Sequence, residues 1–583
     1  MSAKFLKIQE FLSKISMNFD YCLIGTKSSF NVEYLPDFEK ILEFLTGFDG
    51  SNGFCFLPKD LKKDVYFFTD GRYILQAEKQ LRKIDGLKFH IFDLHSSEFK
   101  NFKFENKKEI LFDQRVFDDI SLKLFQNKNI DFVEYDDFDC LDGAIINKEN
   151  AFLYDEKFSD LSYEKKFELL SEKLSSEIYF FNSPSSICWL LNIRGQDIDF
   201  NLIFLCYGIF YKKEKKMKIF CHDVEKLNVI KNYKNVEIYD IKNFDLILKN
   251  ILKENQKIGA SDKISIYYKN FFQDQLTTEK DPCDLLRSKK TDLEIKNAKK
   301  IHLQDGVAMI YFWFWLEESL KKHDYIDEIL ICQKLKEFRQ KQKNFFSESF
   351  DTIAGFNENS AFIHYRVTKE TNKILTNKDG LLLLDSGGHY FGGTTDITRV
   401  FVISRLTKLM KIHYTLVLKA HLKLLRMIFP YDLPMHQLNS IARMDLWQEC
   451  LDFQHGFGHG VSNFLEVHES PYAINNKCVE KLIENIIISN EPGLYFQNKY
   501  GIRIENLMFS KIAKENKETK QKFVGFKNLT FVPYEKKLID RSLLNRNEIR
   551  QINDYHEQVY KKLSKLIDDK KMLKFLREKT SAM

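Results

Sequence analysis

No C-x-x-C pair occurs in this chain, although it has ten cysteines. Zinc knuckles and dithiol redox motifs are therefore excluded, and thiols scattered through a chain of this size read as reduced and mostly buried. Long hydrophobic runs are also missing. The most apolar stretch, GVAMIYFWFWL at 306–316, falls far short of the roughly 20 residues that cross a bilayer. The opening MSAKFLKIQEFLSKIS is amphipathic and lacks the continuous apolar segment of a secretory signal. Nor is there an excess of one charge. The 89 basic and 83 acidic residues are interleaved, with a formal charge of +6, so no basic face offers itself to nucleic acid. Runs such as YKKEKKMK from 211 and KENKETKQK from 514 read as solvated hairpin tips. A soluble cytoplasmic protein that binds neither nucleic acid nor membrane is expected.

What is present is ample core material. Hydrophobic residues make up 44% and aromatic residues 14% of 583, more chain than one core usually serves, which suggests three domains. Residues 1–145 alternate strand and helix after an opening helix and read as an α/β domain. Residues 146–288 repeat that layout, with a helix near 163–175, the strand IYFF and a strand-like run LIFLCYGIFY at 202–211. The similarity suggests a duplication, although no residue-level repeat is visible. The third block, 289–583, opens with Thr291 and Glu294 at capping-box spacing before apolar positions of helical period, so a long helix is expected there. Glycine-bounded strands follow from 350 to about 535, with helices near 408–428 and 433–449 and a charged helical tail at 545–580. This block is α+β.

Two of its segments share one device. In LLLLDSGGHYFGGTTDITRVFV (381–402), an apolar strand ends at Asp385, a glycine-rich turn follows, and a returning strand brings Asp396 back toward it. In IIISNEPGLYFQNKYGIRIENL (486–507), an apolar strand reaches Glu491, which Pro492 biases toward extended backbone, and a turn around QNKYG leads into Gly501–Glu505. Period-two alternation sets Ile502 and Ile504 on one face and Arg503 and Glu505 on the other. Taken singly, an Asp closing a strand is ordinarily a turn former, and a Glu beside an Arg a surface pair. Together, two apolar ribbons would draw four carboxylates inward. Each unpaired buried carboxylate costs several kcal/mol, more than one Arg can offset. Two divalent cations would balance all four.

Residues 452–470, DFQHGFGHGVSNFLEVHES, contain His455, His459 and His468. Gly456, Gly458 and Gly460 would each cost a helix about 1 kcal/mol, so a strand or tight loop is expected. Without side chains at those positions, other backbone can approach closely, and His459 can supply one nitrogen to an oxygen-rich site. His364 lies in the same block.

These segments, together with NEPGLY and GIRIEN, closely resemble the metal-binding segments of the pita-bread metallopeptidases, the clan of methionine aminopeptidase, prolidase and aminopeptidase P. The match is closest to the long three-domain Xaa-Pro aminopeptidases. FLTGFDGSNG, TDGRYILQA and WLLNIRGQDI resemble signatures of the two N-terminal domains, and SFDTIAGFNENSAFIHYR and LTFVPYEKKLID resemble segments flanking the catalytic centre. The resemblance implies two creatinase-type α/β domains, 1–145 and 146–288, then a pita-bread α+β catalytic domain with a helical C-terminal extension, 289–583. It places the five metal ligands on Asp385, Asp396, His459, Glu491 and Glu505, holding two manganese ions, with cobalt or zinc also able to bind. His364, His455 and His468 match histidines around the substrate, and Arg72 in TDGRY matches a substrate-binding arginine.

The implied reaction is hydrolysis of the N-terminal Xaa-Pro bond by a hydroxide held between the metals. His468 or His364 would stabilise the oxyanion and Glu491 would shuttle the proton. The implied assembly is a homodimer acting on peptides with proline second. A prolidase restricted to dipeptides is the alternative within hydrolases, and a non-catalytic peptide- or protein-binding relative the alternative outside them. Creatine hydrolases share the fold without the metal set. Three positions depart from the family pattern: Phe457 stands where threonine is usual, and Ser462 and Ser470 where glycine is. Phe457 either narrows the pocket or packs away from it.

Overall fold

The computed structural model describes residues 3–583 apart from 137, 139–148, 254–255, 324 and 376–379. The expected boundary at 145/146 lies outside the described residues. The chain divides into two compact units, one of Met1–Tyr154 with Leu161–Leu286, the other of Asp155–Asp160 with Arg287–Met583.

The first unit holds two six-stranded sheets of the same pattern. In the first sheet, Tyr21–Gly25 pairs antiparallel with Gly53–Pro58 and parallel with Lys108–Asp113, and parallel strands close both edges. In the second, Ile178–Phe181 takes the corresponding place, antiparallel to Tyr207–Tyr211 and parallel to Ile258–Ser261, again with parallel strands at both edges. The duplication is thus one of topology. The run expected as one strand at 202–211 is shorter, because only Tyr207–Tyr211 joins the ladder. Residues 202–206 are equally buried, but their backbone groups bond to residues 188–197 instead of a neighbouring strand, with Leu205 N–H donating to Asp197 Oδ2 at 2.8 Å. A continuous apolar run records burial, not hydrogen bonding.

In the second unit, the long helix is Asp292–Lys322, and Thr291 and Glu294 form the expected reciprocal capping box. Its buried face includes Phe312 and Trp313, which meet Phe401 of the first carboxylate ribbon edge to face. The helices Lys408–Arg426 and Met435–Trp447 and the C-terminal pair Arg546–Leu563 and Lys570–Lys579 stand where periodicity puts them. Both charged runs are hairpin tips, between Tyr207–Tyr211 and Lys216–Cys221 and between Asn506–Glu515 and Lys522–Asn528. Among the described residues no helix is long and apolar enough to cross a membrane, and the nine described cysteines are free thiols, seven of them buried.

Candidate metal centre

The first ribbon is a single antiparallel hairpin. Leu381–Ser386 pairs with Ile397–Val402, the same register continues through His389 opposite Thr394, and the turn closes at Phe391 and Gly392. Gly392 has φ 116°, a left-handed value that a side chain would strain. Asp385 pairs with Thr398 rather than Asp396. The two carboxylates are therefore diagonal neighbours on one face of the hairpin.

The second ribbon is longer than its strand assignments suggest. Ile487–Asn490 pairs with Asn506–Glu515, and Gly493–Phe496 with Tyr500–Arg503, in one unbroken register. Glu491 and Glu505 oppose each other where the ladder opens, and Ile504 N–H donates to Pro492 C=O at 3.2 Å across the gap. Beside the second ribbon runs Gly458–Gly460, a short strand paired with Ile487–Asn490 on one side and Glu469–Ile474 on the other. This answers the glycine question. A Cβ on Gly458 would stand 2.0 Å from Ser489 C=O and one on Gly460 2.4 Å from Glu469 C=O. Only glycine lets His459 sit so tightly between its neighbours.

Four carboxylates and one imidazole converge here. One donor atom from each of Asp396, His459 and Glu505 lies within 4.8 Å of the others, and His459 Nε2 is 3.5 Å from both Asp396 Oδ2 and Glu491 Oε1. Burial, then the charges of Asp385 and Glu491, push Asp396 well above the usual carboxylate range. Burial, then Asp396, Asp385 and Glu491, do the same to Glu505. Among the described residues, Asp385 Oδ1, Asp396 Oδ1 and Glu505 Oε1 are buried without a hydrogen-bond partner. Three orphaned oxygens, converging and mutually repelling, are what cations would satisfy, and the donor set fits hard divalent ions. His459 Nδ1–H donates to Gly460 C=O at 3.0 Å, leaving the Nε2 lone pair aimed into the cluster, as a ligating histidine requires.

Further side chains hold these groups, and sequence reasoning left out Ser489 and Thr398 among them. Ser489 Oγ accepts the His459 N–H at 2.9 Å and donates to Glu491 Oε1 at 3.1 Å. Thr398 Oγ1 donates to Glu505 Oε2 at 2.9 Å and accepts from Arg503 Nε at 3.2 Å. Arg503, fully buried, also donates to Asp385 and, at 2.7 Å, to Tyr495 Oη. The signal was available. Thr398, Ser489 and Arg503 each lie two residues from a carboxylate on the same strand, so alternation puts them on its face.

His455 is tied by both ring nitrogens: Nδ1–H donates to Gly456 C=O, and Nε2 accepts from Tyr495 Oη, both at 2.7 Å. Burial, then the Arg503 charge, holds it well below the ordinary imidazole range, and nearby His364 adds to this. His455 is neutral and immobile. His468 stands edge to face with His459, ring centres 4.3 Å apart. His364 follows Ile363, whose C=O accepts from Arg503 at 3.3 Å. Its segment is gathered around the buried Glu328 carboxylate, which accepts from Phe356 N–H, Asn359 Nδ2, Tyr365 Oη and Lys373 N–H at 2.7–3.0 Å. Arg72 belongs to the first unit. There Asp70 grips its Nε and Nη2, both at 2.8 Å, and Asn52 braces Asp70 at 2.7 Å, so the guanidinium orientation is set before any ligand arrives. Phe457 is fully buried in the core, its ring tilted against Phe453 with centres 5.8 Å apart. It packs away from the pocket. Ser462 closes a turn by accepting from Glu466 N–H at 2.6 Å.

The chain matches the family model of metallopeptidase family M24 over residues 296–510, the C-terminal region of that peptidase over 522–583 and the creatinase/prolidase N-terminal domain over 144–294. Xaa-Pro aminopeptidase 1 of Dictyostelium discoideum is 32% identical over 611 aligned residues, covering 97% of this chain and 94% of that protein. A Laccaria bicolor protein named a probable Xaa-Pro aminopeptidase P is 30% identical, covering 96% and 90%. The X-prolyl aminopeptidase of Caenorhabditis elegans, described as a cytosolic enzyme with a di-nuclear active site, superimposes with a TM-score of 0.92 at 27% identity over the full length of both chains. With relatives aligned from the first sheet to the last helix, this chain belongs to metallopeptidase family M24, among its long Xaa-Pro aminopeptidases.

Proposed function

We propose that the chain is a metal-dependent exopeptidase that hydrolyses the N-terminal Xaa-Pro bond of peptides and releases the first residue. The observation that carries this is the convergence of Asp385, Asp396, His459, Glu491 and Glu505 in a chain whose full-length relatives are Xaa-Pro aminopeptidases. These five residues would hold two divalent ions. Manganese is the proposed ion, since four carboxylates and one imidazole suit it, and cobalt or zinc would also bind. When bound, such ions supply Lewis acidity toward the scissile carbonyl and a nucleophile from water at neutral pH.

The remaining chemistry belongs to the side chains. Glu491, held at Oε1 by Ser489, takes the proton released on attack and returns it to the leaving proline nitrogen. His468, beside His459, or else His364 donates to the oxyanion. His455, locked neutral against Tyr495, shapes the wall of the substrate site. Arg72, preset by Asp70, recognises peptide. Proline offers no N–H, so selection at the second position rests on shape. Three domains, a cytoplasmic location and a homodimer complete the reading, supported by the repeated sheet topology, the cytosolic relative and the family resemblance.

Purified protein loaded with manganese should release the first residue from Arg-Pro-Pro and stop on adding EDTA. Cleavage of Xaa-Pro dipeptides but not tripeptides would make it a prolidase, and no cleavage with any divalent ion would refute the enzyme.

A further inference from the structure

Residues 287–294, which lead into and begin the long helix, reach the loop 461–469 with three side chains. Lys290 Nζ is fully buried and pairs with the equally buried carboxylate of Glu469, while also donating to Arg287 C=O at 2.9 Å. Arg287 Nη1 is 3.5 Å from Glu466 Oε2. Glu294 holds the Thr291 N–H with one oxygen and accepts from Asn463 Nδ2 with the other, both at 2.8 Å. These grips fall on residues 463, 466 and 469 of a loop that Ser462 already stitches to Glu466 and that Thr394 holds at Phe464 N–H, 3.1 Å away.

A buried ion pair contributes little net stability, because desolvation of both ions offsets their attraction. Three grips on one loop are better accounted for by what the loop carries. Glu469 adjoins His468, whose ring must meet an oxyanion beside His459, and a misplacement of about 1 Å at such a position can cost on the order of 100-fold in rate. We propose that Lys290 is a positioning residue for His468: through Glu469 it fixes the backbone from which that imidazole projects, and so acts on turnover while touching neither substrate nor metal. This rests on the role given to His468 above. Burial pushes Glu469 up to about 7 even with Lys290 and Arg287 beside it. Without Lys290 it would take up a proton rather than remain an unpaired buried charge, and the variant should fold.

The test uses the full chain with manganese. Lys290→Met should lower kcat on a Xaa-Pro-Xaa tripeptide on the order of tenfold, with KM and bound manganese unchanged, and should add nothing in a His468→Ala background. Unchanged kcat, a loss additive with that of His468→Ala, or a loss that follows lost manganese would overturn the proposal. If Lys290→Met does not fold, the charge-free pair Lys290→Met with Glu469→Gln carries the same measurements. A wild-type protein inactive on every Xaa-Pro peptide would sink the enzymatic reading instead. The crystal structure of the variant then decides the positioning role alone: a displaced His468 ring supports it, and a ring in the wild-type place overturns it.

Discussion

Asp396 and Glu505 have a cost that only a counter-charge removes. Without a counter-charge, burial and the neighbouring carboxylates raise the proton affinity of both above that in the unfolded chain. Their own contribution to stability is therefore greatest at low pH and is lost as pH rises through those raised values. Calorimetry should show that EDTA lowers Tm more at pH 8 than at pH 6, and a metal-free Tm that does not fall with pH would contradict the repulsion. Phe457 makes a second residue-scale case. Fully buried, it should contribute packing rather than selectivity, so Phe457→Thr should lose about 3 kcal/mol in urea unfolding while KM for a tripeptide stays put. A changed KM with unchanged stability would return it to the pocket. The carboxylates of the two ribbons were legible as a group because alternation and turn glycines gave them an inward face, whereas the choice of five ligands came from the family resemblance. The direction of Phe457 was not legible, since a side chain between two glycines just before a three-residue strand can point either way. Arg503 was read as a neighbour of Glu505, but its hold on Asp385 joins positions 118 residues apart, and no local pattern records that.

At the scale of elements, the strand Gly458–Gly460 is the least forgiving. A methyl on Gly458 would overlap Ser489 C=O, so Gly458→Ala should cost about 3 kcal/mol and reduce bound metal, read by elemental analysis. Full metal content in that variant would show that the strands have room to part. Buried histidines on three helices set the acid limit. Burial lowers His302 to about 4 and both His421 and His556 to about 3. The unfolded chain protonates them first, so their contribution is intact above about pH 6.5 and declines below it, by about 1.4 kcal/mol per pH unit for each. Urea midpoints that stay level from pH 6.5 to 4.5 would count against this. Helices were the easiest elements to read, because caps such as Thr291 with Glu294 mark their ends. The run at 202–211 was misjudged because buried coil and buried strand share a composition, and what separates them is where Asp197 places its oxygen.

For the whole molecule, the repeated sheet order was visible only as similar layout, because strand pairing is a long-range property that composition does not encode. The proposed homodimer needs an apolar face. Ile441, Met444 and Trp447, on one side of Met435–Trp447, are 47%, 47% and 45% exposed, a stripe that a second copy would cover. Light scattering should give twice 69.3 kDa for the wild type and about half that for Trp447→Glu. A wild-type monomer that is fully active would refute the dimer. The unbroken register of the 487–509 ribbon has one more consequence. Glu491 and Glu505 are matched by pairing on both sides of them, so the exposed bend at 497–499 carries no geometric duty. Evolution, or a protein engineer inserting a peptide tag there, is free to lengthen that tip while the carboxylates below it keep their partners.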